Sequence, residues 1–155
     1  MTFNISLDSS IIISHLSGDI HEDDVLACVD RLASSRAEVF MSLVCYAEVW
    51  TGIELQANDN ARRAAVELQR LIQASGIMLV ADNVSIARDA ARAQADYRRR
   101  EVLIPDFLIG ANAAHYSGRL LTTNPRDFLE IFLGSKCLGQ KILDRSWCLR
   151  IINSS

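Results

Sequence analysis

A chain of 155 residues, half of them hydrophobic and 23% charged, has the length of one domain and the composition of a globular protein with its own core. A formal net charge of −3 argues against polyanion binding by bulk electrostatics, and no apolar run reaches the length of a membrane span. The N-terminus lacks the basic-then-apolar order of a secretory signal, so a cytoplasmic location without membrane attachment is expected.

The first element predicted is a strand over Phe3–Leu7, "FNISL", apolar on alternate positions. A helix follows through "IIISHLSG", with Ser9 or Ser10 as its cap and Gly18 as its stop. "HEDDVLACVDRLASSR" carries acids in its first turn and arginines toward its end, with Val25, Leu26, Val29 and Leu32 as an apolar stripe, so it reads as a second helix. "VFMSLV" is a second strand that runs into a helix through "CYAEVWTGIEL". "DNARRAAVELQRLIQASG" is amphipathic, with Ala65, Leu68, Leu71 and Ile72 on one side. "IMLV" is a third strand, and "NVSIARDAARAQADYRRR" a long helix. Pro105 suits the first turn of a helix through "DFLIGANAAHYS", which Gly118 ends. "RLLTT" is a fourth strand, "NPRDF" a turn, "FLEIF" one helical turn, and "KIL" a last short strand.

Alternating strands and helices imply an α/β fold, with a mainly parallel central sheet of four to five strands and helices on both faces. One domain spanning 1–155 is expected, with 143–155 as a C-terminal tail of unassigned role. The cysteines (Cys28, Cys45, Cys137, Cys148) form no CxxC pair and have no neighbouring histidine, the pattern of reduced, buried thiols. His15, His21 and His115 are scattered and suggest no metal site. Fourteen of the sixteen basic residues are arginines, whose planar fork suits phosphate.

Three carboxylates sit among apolar neighbours: Asp8 after the first strand, Glu48 in "LVCYAEVWTGI", and Asp106 in "VLIPDFLIG". Singly, each has a structural reading. Asp8 could cap a helix, Asp106 could answer a helix dipole, and Glu48 could pair with an arginine. Together they fall at or just beyond the carboxyl ends of strands, where open α/β sheets gather functional groups. Two carboxylates about 4 Å apart repel by roughly 4 kcal/mol at an effective dielectric of ~20. A divalent cation relieves that repulsion, and an all-oxygen set suits Mg²⁺ or Mn²⁺. Thr122, Thr123, Asn124 and Asp127 add polar groups at the same rim, although Asn-Pro is also an ordinary turn signal.

Asp8-Ser9, "YAEVWTG", "PDFLIGANA" and "LLTTNPRDF", in this order and spacing, resemble a PIN domain. They are similar in particular to the VapC-type toxins of bacterial toxin–antitoxin pairs, over residues 3–143. The resemblance implies a metal-dependent ribonuclease, often a homodimer, neutralised by a small antitoxin protein that covers its active site. It implies Asp8 and Asp106 as direct metal ligands, Glu48 as a third member of the acidic pocket, and Ser9 with Thr122 or Thr123 as supporting hydroxyls. Many relatives read Thr-Arg-Asp where this chain reads Thr123-Asn124-Pro125. Asn124 or Asp127 would therefore complete the site, which leaves one or two metals open. Arg98, Arg99, Arg100 and Arg126 flank the acids and would position RNA phosphates. The rival within the family is a catalytically impaired PIN-fold protein acting through protein or RNA contacts. A receiver-type signalling module fits less well, because it needs paired acids where Asp8 stands alone.

Overall fold

The computed structural model describes residues 3–17, 22–97, 104–128 and 141–144. Their elements are β1 (Asn4–Leu7), α1 (Ser9–Ser17), α2 (Glu22–Ser34), β2 (Glu38–Ser42), α3 (Leu43–Glu54), α4 (Asn58–Ala74), β3 (Met78–Val80), α5 (Val84–Asp96), α6 (Ile104–Tyr116), β4 (Arg119–Thr122) and β5 (Lys141–Asp144). The strands form one five-stranded sheet in the order β3-β2-β1-β4-β5, and every pairing is parallel. The expected α/β architecture is the one observed.

Consecutive residues of the inner strands are buried: Ile5, Ser6 and Leu7 in β1, Val39, Phe40 and Met41 in β2, and Leu120, Leu121 and Thr122 in β4. Side chains alternate across a strand, so unbroken burial means that both sheet faces are covered. Right-handed crossovers produce that cover. The chain steps from β1 to β2 to β3 in one direction and then crosses back to β4, which sets α1–α4 and α5–α6 on opposite faces. Ile11, Ile12, Cys45, Val49, Leu68, Ile86, Ala90 and Phe107 complete the core from the helices. The edge strand β3 instead leaves Met78 and Leu79 exposed.

Several boundaries move for identifiable reasons. The second strand stops at Ser42, two residues before the end of "VFMSLV", because the Ser42 side chain caps α3 by accepting from the Cys45 N–H at 3.1 Å. Neither Ser9 nor Ser10 caps α1. Both lie inside its first turn and send their hydroxyls to carboxylates. Residues 125–128 are helical where a turn was expected. Gly118 ends α6 as expected, at a φ of 71°, with its N–H on the Ala113 carbonyl. β5 runs through Asp144, so the proposed tail overlaps a strand that hydrogen-bonds to β4. Its remainder lies outside the described residues, as do His21, Arg98, Arg99, Arg100, most of "FLEIF", and the side chains of Val25, Leu26 and Val29. Cys28 is disulfide-bonded, a correction to the expectation of four reduced thiols. That pairing depends on tertiary proximity, which cysteine spacing does not carry. Cys45 is free and buried. Among the described residues, no helix is long and apolar enough to cross a membrane.

Candidate metal centre at the carboxyl edge of the sheet

The strand order reverses at β1: the chain leaves it toward β2 and returns to its other side as β4. In an open α/β sheet such a switch point opens a crevice beyond the strand ends. Asp8 stands at that crevice. Its N–H donates to the Leu121 carbonyl at 2.9 Å, extending the β1–β4 ladder by one residue, while its own carbonyl accepts from the Ile11 N–H at 3.1 Å and starts α1. The residue is the joint between strand and helix, and only 5% of it is exposed.

Two hydroxyls hold the Asp8 carboxylate. Ser10 Oγ and Thr122 Oγ1 each donate to Oδ2 at 2.7 Å. Thr122, the last residue of β4, is fully buried and also accepts from the Asn124 N–H at 3.0 Å. Ser10 Oγ accepts from the Thr123 N–H at 3.1 Å. The loop after β4 is thereby tied to the start of α1, and the Asp8 rotamer is set from both sides.

Glu48 enters from α3. It is half-buried, and its Oε2 accepts from Ser9 Oγ at 2.6 Å. One turn earlier on the same helix is Cys45, and residues three apart share a helix face. A carboxylate oxygen of Asp8, Cys45 Sγ and a carboxylate oxygen of Glu48 all lie within 4.8 Å of one another. The thiol of Cys45 is pushed up to about 12, chiefly by burial. The charges of Asp8 and Glu48 add to the rise, while hydrogen bonds from Ser42 and the Ser9 backbone oppose it. Among the described residues, ion pairs join His15 and Arg70 to Glu67 and Arg92 to Asp89. None of these reaches Asp8 or Glu48, so no arginine of the described residues accounts for Glu48.

Asp106 lies in the first turn of α6 and is half-buried. Its helix packs on β1, β2, β4 and α3, the elements that frame the crevice. Its carboxylate is not one of the three clustered donors. Thr123, Asn124 and Asp127 are exposed, and the Asn124 side-chain amide donates to Asp127 Oδ2. The two candidates for a fourth member thus bond to each other at the rim. Arg126 is exposed beside them. The residues brought together are Asp8, Ser9, Ser10, Cys45, Glu48 and Thr122, of which Cys45 and Ser10 are missing from the site picked out in the sequence. Cys45 could have been found from its three-residue spacing to Glu48 on a helix; Ser10 carries no comparable signal.

A family model for the PIN domain matches residues 5–131. The chain belongs to the PIN domain family. Solved structures share this PIN fold at low identity. VapBC2 from Rickettsia felis, bound to a DNA fragment from its promoter, superposes with a TM-score of 0.71 at 14% identity, covering 92% of this chain and 98% of that one. FitAcB from Neisseria gonorrhoeae gives 0.66 at 19% identity over 92% and 98%. DNA-bound VapBC from Salmonella typhimurium gives 0.65 at 18% identity over 93% and 99%. Among curated proteins, no sequence matches this PIN domain.

Proposed function

We propose that this PIN domain is a metal-dependent endoribonuclease and the toxin of a toxin–antitoxin pair. The observation that carries the reading is the convergence of Asp8 and Glu48, unpaired with any cation side chain of the described residues, at the switch point of the sheet. Mutual repulsion makes this arrangement unfavourable in isolation, and a divalent cation reverses the sign of the interaction.

The donor chemistry fits such an ion. Asp8 Oδ2 is occupied by two hydroxyls and Glu48 Oε2 by one, which leaves Oδ1 and Oε1 as the oxygens for a cation. Asp8, Glu48 and Asp106 would hold Mg²⁺ or Mn²⁺, hard ions that take oxygen ligands. When bound, the ion supplies an activated water and polarises a phosphoryl oxygen. Ser10 and Thr122 keep the Asp8 carboxylate from rotating, and Ser9 does the same for Glu48. Arg126, with Arg98, Arg99 and Arg100, would draw in the phosphate backbone that the acids alone would repel. Asn124 and Asp127 would complete the pocket only by releasing each other. That mutual bond is the observation favouring the second reading, a PIN domain with weakened catalysis that acts by binding protein or RNA.

A small antitoxin as partner, a homodimer as the working form and a cytoplasmic location belong to the same proposal. The structural neighbours named above as VapBC complexes support the antitoxin. The deciding experiment is cleavage of a structured RNA with Mg²⁺ or Mn²⁺, abolished by EDTA and by Asp8→Asn and Asp106→Asn separately, each variant shown to be folded. Metal-dependent cleavage that survives both substitutions would refute the site. A folded wild type, free of antitoxin, that cleaves no RNA would favour the binding protein.

A further inference from the structure

Resting on the reading of the Asp8–Glu48 crevice as a cation site, we propose that Cys45 makes it a site for thiophilic cations, Zn²⁺ above all. Zn²⁺ binds through Cys45 Sγ, Asp8 and Glu48 and displaces Mg²⁺, which shuts off Mg²⁺-supported cleavage. The thiol proton passes to solvent as the sulfur–zinc bond forms.

The geometry of α3 carries the proposal. Cys45 and Glu48 are one turn apart, and the sulfur and the two carboxylate oxygens are mutually within 4.8 Å. A tetrahedral ion with Zn–S near 2.3 Å and Zn–O near 2.1 Å places its donors roughly 3.4–3.6 Å apart. The three donors are therefore no more than about 1.4 Å from ligating distance. Cys45 is fully buried and outside any disulfide, so its sulfur is shielded from bulky reagents while facing the two carboxylates.

Ligand preference separates the two ions. Mg²⁺ takes oxygen in an octahedral shell and gains nothing from a thiol, whereas Zn²⁺ favours mixed sulfur and oxygen ligands in a tetrahedral one. With Cys45, Asp8 and Glu48 bound, a tetrahedral ion keeps a single open position. An octahedral ion held by the carboxylates keeps several, enough for both water and phosphate. The same crevice thus offers Mg²⁺ room for water and phosphate together, and tetrahedral Zn²⁺ room for one of them at a time.

The test titrates metal-stripped full-length protein with Co²⁺ as a spectroscopic stand-in for Zn²⁺. A sulfur-to-cobalt charge-transfer band is expected in the near ultraviolet, saturating at one ion per chain. The band should vanish in Cys45→Ser and weaken in Asp8→Asn. Zn²⁺ affinity, measured by competition with a chromogenic chelator, should fall by more than about 100-fold in Cys45→Ser, beyond the effect usual for an outer-sphere partner. The ratio of Mg²⁺-supported cleavage with and without Zn²⁺ should be low in the wild type and return toward one in the variant. Should Cys45→Ser not fold, Cys45→Ala and Cd²⁺ absorption on the wild type answer the same question. Co²⁺ bound without a sulfur band, alongside intact Mg²⁺-dependent cleavage, overturns the proposal and leaves the carboxylate site standing. A band unchanged by Cys45→Ser assigns the sulfur elsewhere and overturns it too. If neither Co²⁺ binding nor Mg²⁺-dependent cleavage responds to Asp8→Asn, the cation site itself fails and the proposal with it.

Discussion

Asp8→Asn separates a carboxylate kept for a cation from one kept for structure. In the metal-free protein the substitution removes one of two negative charges whose oxygens lie within 4.8 Å. At that distance and an effective dielectric near 20 the relief is about 3.5 kcal/mol, and roughly half of that if solvent around Glu48 doubles the effective dielectric. Against it stand the two hydroxyl bonds from Ser10 and Thr122, each weaker by about 1 kcal/mol when the acceptor is neutral. The two terms nearly cancel. In EDTA, Asp8→Asn should therefore melt within about 5 °C of the wild type, at the 2–4 °C per kcal/mol expected for a chain of this size. Added cation breaks the symmetry: at about 100 times Kd it stabilises the wild type by roughly 2.7 kcal/mol, a rise of about 5–10 °C. Asp8→Asn should show little or none of that rise. Thermal unfolding by circular dichroism with EDTA and with Mn²⁺ gives all four values. A fall beyond about 10 °C in EDTA would mean that Asp8 is held for structure, and an equal Mn²⁺ shift in both proteins would place the cation elsewhere.

Thr122→Val keeps the volume but removes the donor to Asp8 and the acceptor for the Asn124 N–H. It should cost about 1–3 kcal/mol in urea unfolding and raise the Mg²⁺ concentration that cleavage requires by roughly 10–100-fold. Ser42→Ala deletes the cap of α3 and should destabilise by about 1 kcal/mol in the same assay. Gly76→Ala meets no atom within 4 Å but must adopt a φ of 62°, so a loss of about 1–2 kcal/mol is expected, all of it from backbone strain; no change would mean that the turn after α4 relaxes. Burial raises the Cys45 thiol from 9.0 to about 12. Its contribution is therefore complete below pH 9 and is lost as the pH climbs toward 12. Across that window the metal-free wild type should lose up to about 1.4 kcal/mol per pH unit relative to Cys45→Ala, read from urea unfolding. Parallel pH curves for the two proteins would refute the burial of a neutral thiol.

The fold was legible because its strands and helices differ in period, and "FNISL" or "DNARRAAVELQRLIQASG" can be assigned without knowing any partner. What the sequence could not carry was the competition among partners. Ser9 and Ser10 read as caps because a local backbone N–H is the partner that sequence makes visible. Folding offers each a carboxylate instead, from a neighbouring turn or from another helix, and a charged acceptor is the stronger one. The same holds for the rim, where Asn124 and Asp127 stood as alternatives three residues apart and turn out to bond to each other. Cys45 is the sharpest case. Its place on the Glu48 face follows from helical spacing alone, yet it passed as an ordinary buried thiol because Asp8 lies in a different element at the other end of a crossover. Only the parallel pairing of β1 with β2, and the run of β2 into α3, carry Cys45 Sγ to the carboxylate at the end of β1. Topology, more than any residue's own preference, turns an inert thiol and two carboxylates into one set of donors.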